Sequence, residues 1–178
     1  SEETEVRVLY TDAALYIAVR AWDSQASEIQ AQLTRRDIQS PSDWIGVAID
    51  SYRDRRTAFV FLVTPAGVKR DIYFFNDGEE DESWDAVWDV GTNCDDRGWT
   101  AEFRIPFSQL RFPDAERHRF GFNVYRNIIR LNEELFWRVP PKAEPGFVSR
   151  FGDLEGIEGI RPPQRIEILP YTVLTGTK

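Results

Sequence analysis

Between residues 99 and 105, Trp99, Ala101, Phe103 and Ile105 alternate with Thr100, Glu102 and Arg104, the period-two signature of a strand with one face buried. Asp95-Asp96-Arg97-Gly98 ahead of it is a turn. Pro106 has no N–H to give a ladder and ends the strand, after which Phe107-Ser108-Gln109-Leu110 reads as a short turn of helix or a corner. The same alternation in residues 4–10 and 15–22, separated by Thr11-Asp12-Ala13-Ala14, predicts a hairpin. Its second strand places Leu15, Ile17, Val19 and Ala21 opposite Tyr16, Ala18, Arg20 and Trp22. Residues 43–50 turn Ile45, Val47 and Ile49 toward a core and Trp44, Gly46 and Ala48 away from it. Residues 58–63 and 68–75 form another hairpin around Thr64-Pro65-Ala66-Gly67, where Pro and Gly suit the second and fourth positions of a type I turn. Further strands are predicted at residues 84–90, 120–130 and 135–139. In the second of these, Phe120, Phe122 and Val124 alternate with Gly121, Asn123 and Tyr125. About nine or ten short strands, with turn signals between them and little helical periodicity, predict an all-β fold: an antiparallel jelly-roll β-sandwich with short helical turns.

Size and charge narrow the picture. A chain of 178 residues, 13% of them aromatic, suffices for one sandwich with a sizeable core. Residues 1–160 are read as that domain. Arg161-Pro162-Pro163 is a stiff break, and residues 165–174, with Pro170 inside them, begin a new β-prone segment, so residues 161–178 are read as a linker and the start of a following region. The net charge of -8 leaves no surplus of cations to displace counterions from a nucleic acid, which is therefore not an expected partner. Arg35-Arg36 and the basic run at residues 53–56 read as solvated loops. Cys94 is the sole cysteine, so no internal disulfide is expected. No apolar run approaches the roughly 18 residues of a spanning helix, and membrane insertion by this segment is not expected. The lack of Met, even at position 1, predicts an excised or processed piece.

The aromatic content directs attention to sugars. The axial C–H groups of a pyranose form an apolar patch that stacks on a ring, while planar polar side chains grip the hydroxyls. Trp44, Trp84, Trp88 and Trp137 are the candidate platforms, Trp44 foremost because Gly46 beside it leaves room for approach. Asn123, Arg126, Asn127 and Arg130 lie along one strand region as candidate polar contacts, with Glu133 or Glu134 as acceptors. The alternative for each indole is core or edge packing. Asn76-Asp77-Gly78-Glu79-Glu80-Asp81-Glu82 concentrates hard oxygen donors around a glycine, which suits Ca²⁺ through Asp77, Glu79 and Asp81, or else makes a hydrated acidic loop. A single His and a single Cys disfavour zinc. His118, in Glu116-Arg117-His118-Arg119, reads as a surface residue of a polar turn, and no nucleophilic or phosphate-binding constellation stands out, so the domain is expected to be non-catalytic.

Several segments, in order, together resemble the family 9 carbohydrate-binding modules, jelly-roll domains often attached to polysaccharide-degrading enzymes. They are Thr4-Glu5-Val6-Arg7-Val8-Leu9-Tyr10, Leu15-Tyr16-Ile17-Ala18-Val19, Trp22-Asp23, residues 43–50 ending in Ala48-Ile49-Asp50, residues 98–110, Phe120-Gly121-Phe122-Asn123-Val124, and Phe151-Gly152-Asp153-Leu154. The resemblance implies a glycan- or polysaccharide-binding sandwich in which calcium is common. It also implies two aromatic residues clamping a terminal sugar, one ahead of the strand that ends at Asp50 and one shortly before the Phe151-Gly152 pair. Here Ser40 and residues 145–149 occupy those regions, and Gly46 replaces an acidic residue, so the clamp is not carried over. A narrower resemblance is to bacterial proteins in which such a domain, secreted to the periplasm, precedes a C-terminal outer-membrane β-barrel. That likeness implies a periplasmic, outer-membrane-associated or extracellular location. It also keeps a second role open, a structural domain docked on an attached barrel or protein partner.

Overall fold

The computed structural model describes residues 2–140 and 145–162. Within them the alternating segments form strands β1 (Thr4–Tyr10), β2 (Ala14–Trp22), β3 (Trp44–Asp50), β4 (Ala58–Val63), β5 (Lys69–Phe75), β6 (Glu79–Asp81), β7 (Asp89–Asp95), β8 (Gly98–Pro106), β9 (Arg117–Ile128), β10 (Glu133–Phe136) and β11 (Gly152–Glu158). One sheet has the order β1-β2-β8-β7. The other runs β10-β9-β3-β4-β5-β6, with β11 also on β9. Every pairing is antiparallel. The chain changes layers after β2, β6 and β8, which gives the expected sandwich with short 3-10 turns, one of them at Phe107–Gln109 directly after Pro106.

Alternation explains what lies between the sheets. Trp99, Ala101, Phe103 and Ile105 of β8, with Leu15, Ile17, Val19 and Ala21 of β2, are at most 1% exposed. They share one core with Ile45, Val47 and Ile49 of β3, Phe59, Phe61 and Val63 of β4, and Phe120, Phe122 and Val124 of β9. Each large apolar side chain buried this way contributes about 1.5–3 kcal/mol of transfer free energy. The Thr64 turn forms as expected, with the Gly67 N–H donating to the Thr64 carbonyl at 2.9 Å and the Val68 N–H to Thr64 Oγ1 at 3.1 Å.

Four local readings are corrected. Residues 84–88 are not part of a strand, and β7 begins only at Asp89. The buried Asp71 carboxylate on β5 takes the Ala86 N–H at 2.7 Å and Trp88 Nε1 at 3.1 Å, which fixes this segment along the sheet rather than in it. The acidic run is the β5–β6 hairpin, its tip formed by Asn76 and Asp77 at φ 48° and 69°, the left-handed pair that a tight hairpin turn favours. Near the C-terminal side, β10 is displaced toward Glu133, and β11 adds a strand that pairs with the first half of β9. His118 is 6% exposed rather than on the surface. Because β9 starts at Arg117, His118 shares the inward face with Phe120 and sits edge-on to Phe112 with a ring nitrogen 3.2 Å from the Ile160 carbonyl. The reading of the tail beyond Pro162 lies outside the described residues.

Candidate functional site

An antiparallel sheet with one face on the core ordinarily turns polar side chains to water. The outward positions of β3, β4 and β5 instead hold Trp44, Ala48, Ala58, Val60, Leu62, Ile72 and Phe74, which cluster with Val148 and Phe151. Such an outer apolar layer needs a cover or a ligand. The segment around Val148 covers part of it. Beside that cover lies a groove of about 370 Å³ floored by Gly46, Ala48, Val60, Leu62 and Ile72, walled by Phe74, Tyr125, Phe136 and Phe147, and rimmed by Arg70, Glu80 and Glu134.

Each part of the groove has a local cause. Gly46 keeps the floor low, since a Cβ there would stand 3.2 Å from Leu62 Cδ2 and 3.5 Å from Tyr125 Cβ. Tyr125 on β9 and Phe136 on β10 are in register, with ring centroids 5.1 Å apart. The Tyr125 hydroxyl donates to Glu134 Oε1 at 3.1 Å. Burial, and then the Glu134 charge, push its phenol up to about 12. Arg70 is held by Glu82 at 2.7 Å, and Glu80 stands across from Phe74 on β6. Phe147 bridges the two walls, 5.0 Å from the Phe74 ring and 6.1 Å from that of Phe136. Its position is set by the hairpin tip. The Asp77 carbonyl accepts the Phe147 N–H at 2.8 Å, and its carboxylate accepts those of Phe147 and Ser149 at 3.1 and 2.7 Å. Burial opposes the charged Asp77, yet the donors of Ser149, Phe147 and Val148 outweigh it and hold the carboxyl below its ordinary range. Gly146, at φ +106°, makes this approach possible, because a Cβ there would come 2.5 Å from Asp77 Oδ2.

The indoles expected as platforms take other places. Trp44 does point away from the core, but it is 5% exposed, closed over by its own preceding segment, with Nε1 donating to the Ser40 carbonyl at 3.3 Å. Trp88 is 1% exposed and packs between Phe61 and Phe103 in the sandwich interior. Trp84 is half-buried against Phe59 and Phe61. Trp137 is 52% exposed and remains open to solvent. It borders a separate cavity of about 320 Å³ with Arg126, Val6 and Leu135.

The expected polar contacts also divide. Arg126 is 2% exposed and faces inward, where its Nη1 donates to the Glu3 carbonyl and Thr4 Oγ1 at 2.8 and 3.0 Å and its Nη2 to the Trp22 carbonyl at 2.7 Å. It ties the two sheets together and is not available to grip a ligand in the groove. Asn123 does line the groove. Its amide, however, is engaged with the main chain of Arg138, donating to the carbonyl and accepting the N–H, both at 2.9 Å. The three carboxylates considered for calcium are not brought together. Asp77 holds the Phe147 segment, Glu79 accepts from Asn76 Nδ2 at 3.3 Å, and Asp81 accepts the N–H and hydroxyl of Ser83 at 2.9 and 2.6 Å. Among the described residues no three His, Cys, Asp or Glu side chains converge as a metal site.

The groove's own walls, Phe74, Tyr125, Phe136 and Phe147, were not singled out from sequence. One signal was present. Phe147 falls in the stretch before Phe151-Gly152 where the resembled modules carry an aromatic residue.

No family model matches the sequence, and no curated protein matches it. Solved structures do match in shape. A Bacteroides uniformis ATCC 8492 protein provisionally named a carbohydrate-binding protein aligns over 86% of this chain and 78% of its own, at 14% identity and a TM-score of 0.69. A family 9 carbohydrate-binding module of Caldicellulosiruptor kristjanssonii in complex with cellotriose aligns over 95% of this chain and 82% of its own, at 15% identity and a TM-score of 0.60. A module of that family from the same organism in complex with glucose aligns over 86% and 76%, at 14% identity and a TM-score of 0.59. The β-sandwich described above is therefore the fold of the family 9 carbohydrate-binding modules.

Proposed function

We propose that this domain is a non-catalytic saccharide-binding module and that its site is the groove on the outer face of the seven-stranded sheet. The observation that carries the reading is an apolar floor, kept low by Gly46, between aromatic walls and under a rim of charged and hydroxyl groups. A pyranose ring has the matching chemistry: C–H faces for Phe74, Tyr125, Phe136 and Phe147, and hydroxyls for Arg70, Glu80 and Glu134. The likeness to modules solved with cellotriose and glucose supports the same class of ligand. Calorimetric titration with glucose, cellotriose and a wider oligosaccharide panel tests it. Binding to at least one saccharide, lost in Tyr125→Ala and Phe147→Ala, is the expected result. No binding across the panel, or variants that bind as well as the parent chain, would overturn it.

A further inference from the structure

Among the described residues the sheets have five edge segments, and four are blunted. Strand β6 has three residues and β10 four, β11 shifts register between Leu154 and Ile157, and β7 contains Gly91 and has an aspartate at each end. Strand β1 differs. It runs seven residues without Gly or Pro and keeps an unbroken register with β2, its one neighbour among the described residues. Its inward side chains Val6, Val8 and Tyr10 are only half-buried, whereas Val19 and Ile17, opposite the two valines on β2, are 1% exposed. A long, regular edge with apolar side chains short of cover is a template for another strand.

The charges on β1 identify that strand. Glu5 and Arg7 flank Val6 on the outward face, 2.7 Å from each other, with Arg7 80% and Glu5 45% exposed. In an antiparallel pairing of two copies about a two-fold axis through Val6, Glu5 of each copy stands opposite Arg7 of the other, and Thr4 opposite Val8. Both charge pairs form at once, because the pattern is its own complement. We infer that β1 is a self-association edge, joining two four-stranded sheets into one eight-stranded sheet. The inference is independent of the groove.

Sedimentation velocity of the full chain tests it, with a species of twice 20.7 kDa expected to grow with concentration. Glu5→Arg alone, or Arg7→Glu alone, turns both cross-pairs into like charges and weakens association by at least about tenfold. An equimolar mixture of the two variants, in which every arginine again meets a glutamate, restores the dimer. Both side chains project into solvent, so each variant retains the parent's circular dichroism, and its melting temperature matches the parent's at concentrations where the parent is monomeric. A parent chain that stays monomeric up to about 100 μM, a dimer indifferent to both reversals, or a mixture that remains monomeric would overturn the inference.

Discussion

The backbone N–H of Phe147 is shared between the carbonyl oxygen and the carboxylate of Asp77, at 2.8 and 3.1 Å. A hairpin tip 70 residues away in sequence thus positions an aromatic ring of the groove. In Asp77→Ala the Val148 turn loses its capping acceptor, a change expected to cost about 1–2 kcal/mol. The sandwich remains folded by circular dichroism, while saccharide affinity falls as Phe147 drifts from the wall. Unchanged affinity by calorimetry would separate Phe147 from the site.

Gly46 offers the complementary change, filling the groove rather than loosening it. Gly46→Leu places a branched side chain over Leu62, where a Cβ alone already comes to 3.2 Å. Crowding of this kind costs about 1–3 kcal/mol, which a urea melt measures. The expected signature is a folded domain with no measurable saccharide binding.

Arg126 separates stability from recognition. Arg126→Met removes three hydrogen bonds, taking its donor from the Trp22 carbonyl and leaving the Glu3 carbonyl with the Trp22 N–H alone, inside a region that also contains buried Asp23 and Asp43. A loss of about 1–3 kcal/mol is expected in denaturant unfolding. Under conditions where the variant is folded, cellotriose titration should match the parent chain, since Arg126 lies on the opposite side of the sheet from the groove.

Tyr125 gives the site a pH signature. Burial and Glu134 hold its phenol at about 12, against 10.0 in the free side chain. The folded state therefore keeps a proton that the unfolded chain releases earlier. The stability linked to Tyr125 is complete below pH 10 and is lost as pH rises through 12. Ultraviolet titration should show a late phenolate component that disappears in Tyr125→Phe. In Glu134→Gln it moves to lower pH.

Much of the sandwich was legible in the alternation of residues. Trp99, Phe103, Leu15, Ile17, Ile45 and Val47 face the core as their spacing demands, because a strand's two-residue repeat fixes which side chains share a face. The repeat does not say what covers the other face. Alternation puts Trp44 on the outward side of β3, yet its exposure depends on how the Ser40 segment folds back over it. Residues 84–88 alternate like a strand, but Asp71 on β5 claims two of their donors. The groove was less visible still. Its walls come from β5, β9, β10 and the Val148 segment, and only strand order brings those pieces side by side.

Asn123 shows how far a single side chain can stand in for a peptide unit. By answering both the N–H and the carbonyl of Arg138, it extends the β9–β10 ladder beyond Phe136 and prescribes the direction in which the polypeptide leaves the sheet. An aspartate of the same shape would accept from Arg138 but give nothing back, so a difference of one atom would remove one of the two bonds that hold Arg138 to β9. The boundary of this layer is written in an amide nitrogen, a detail invisible to any measure of size or hydropathy.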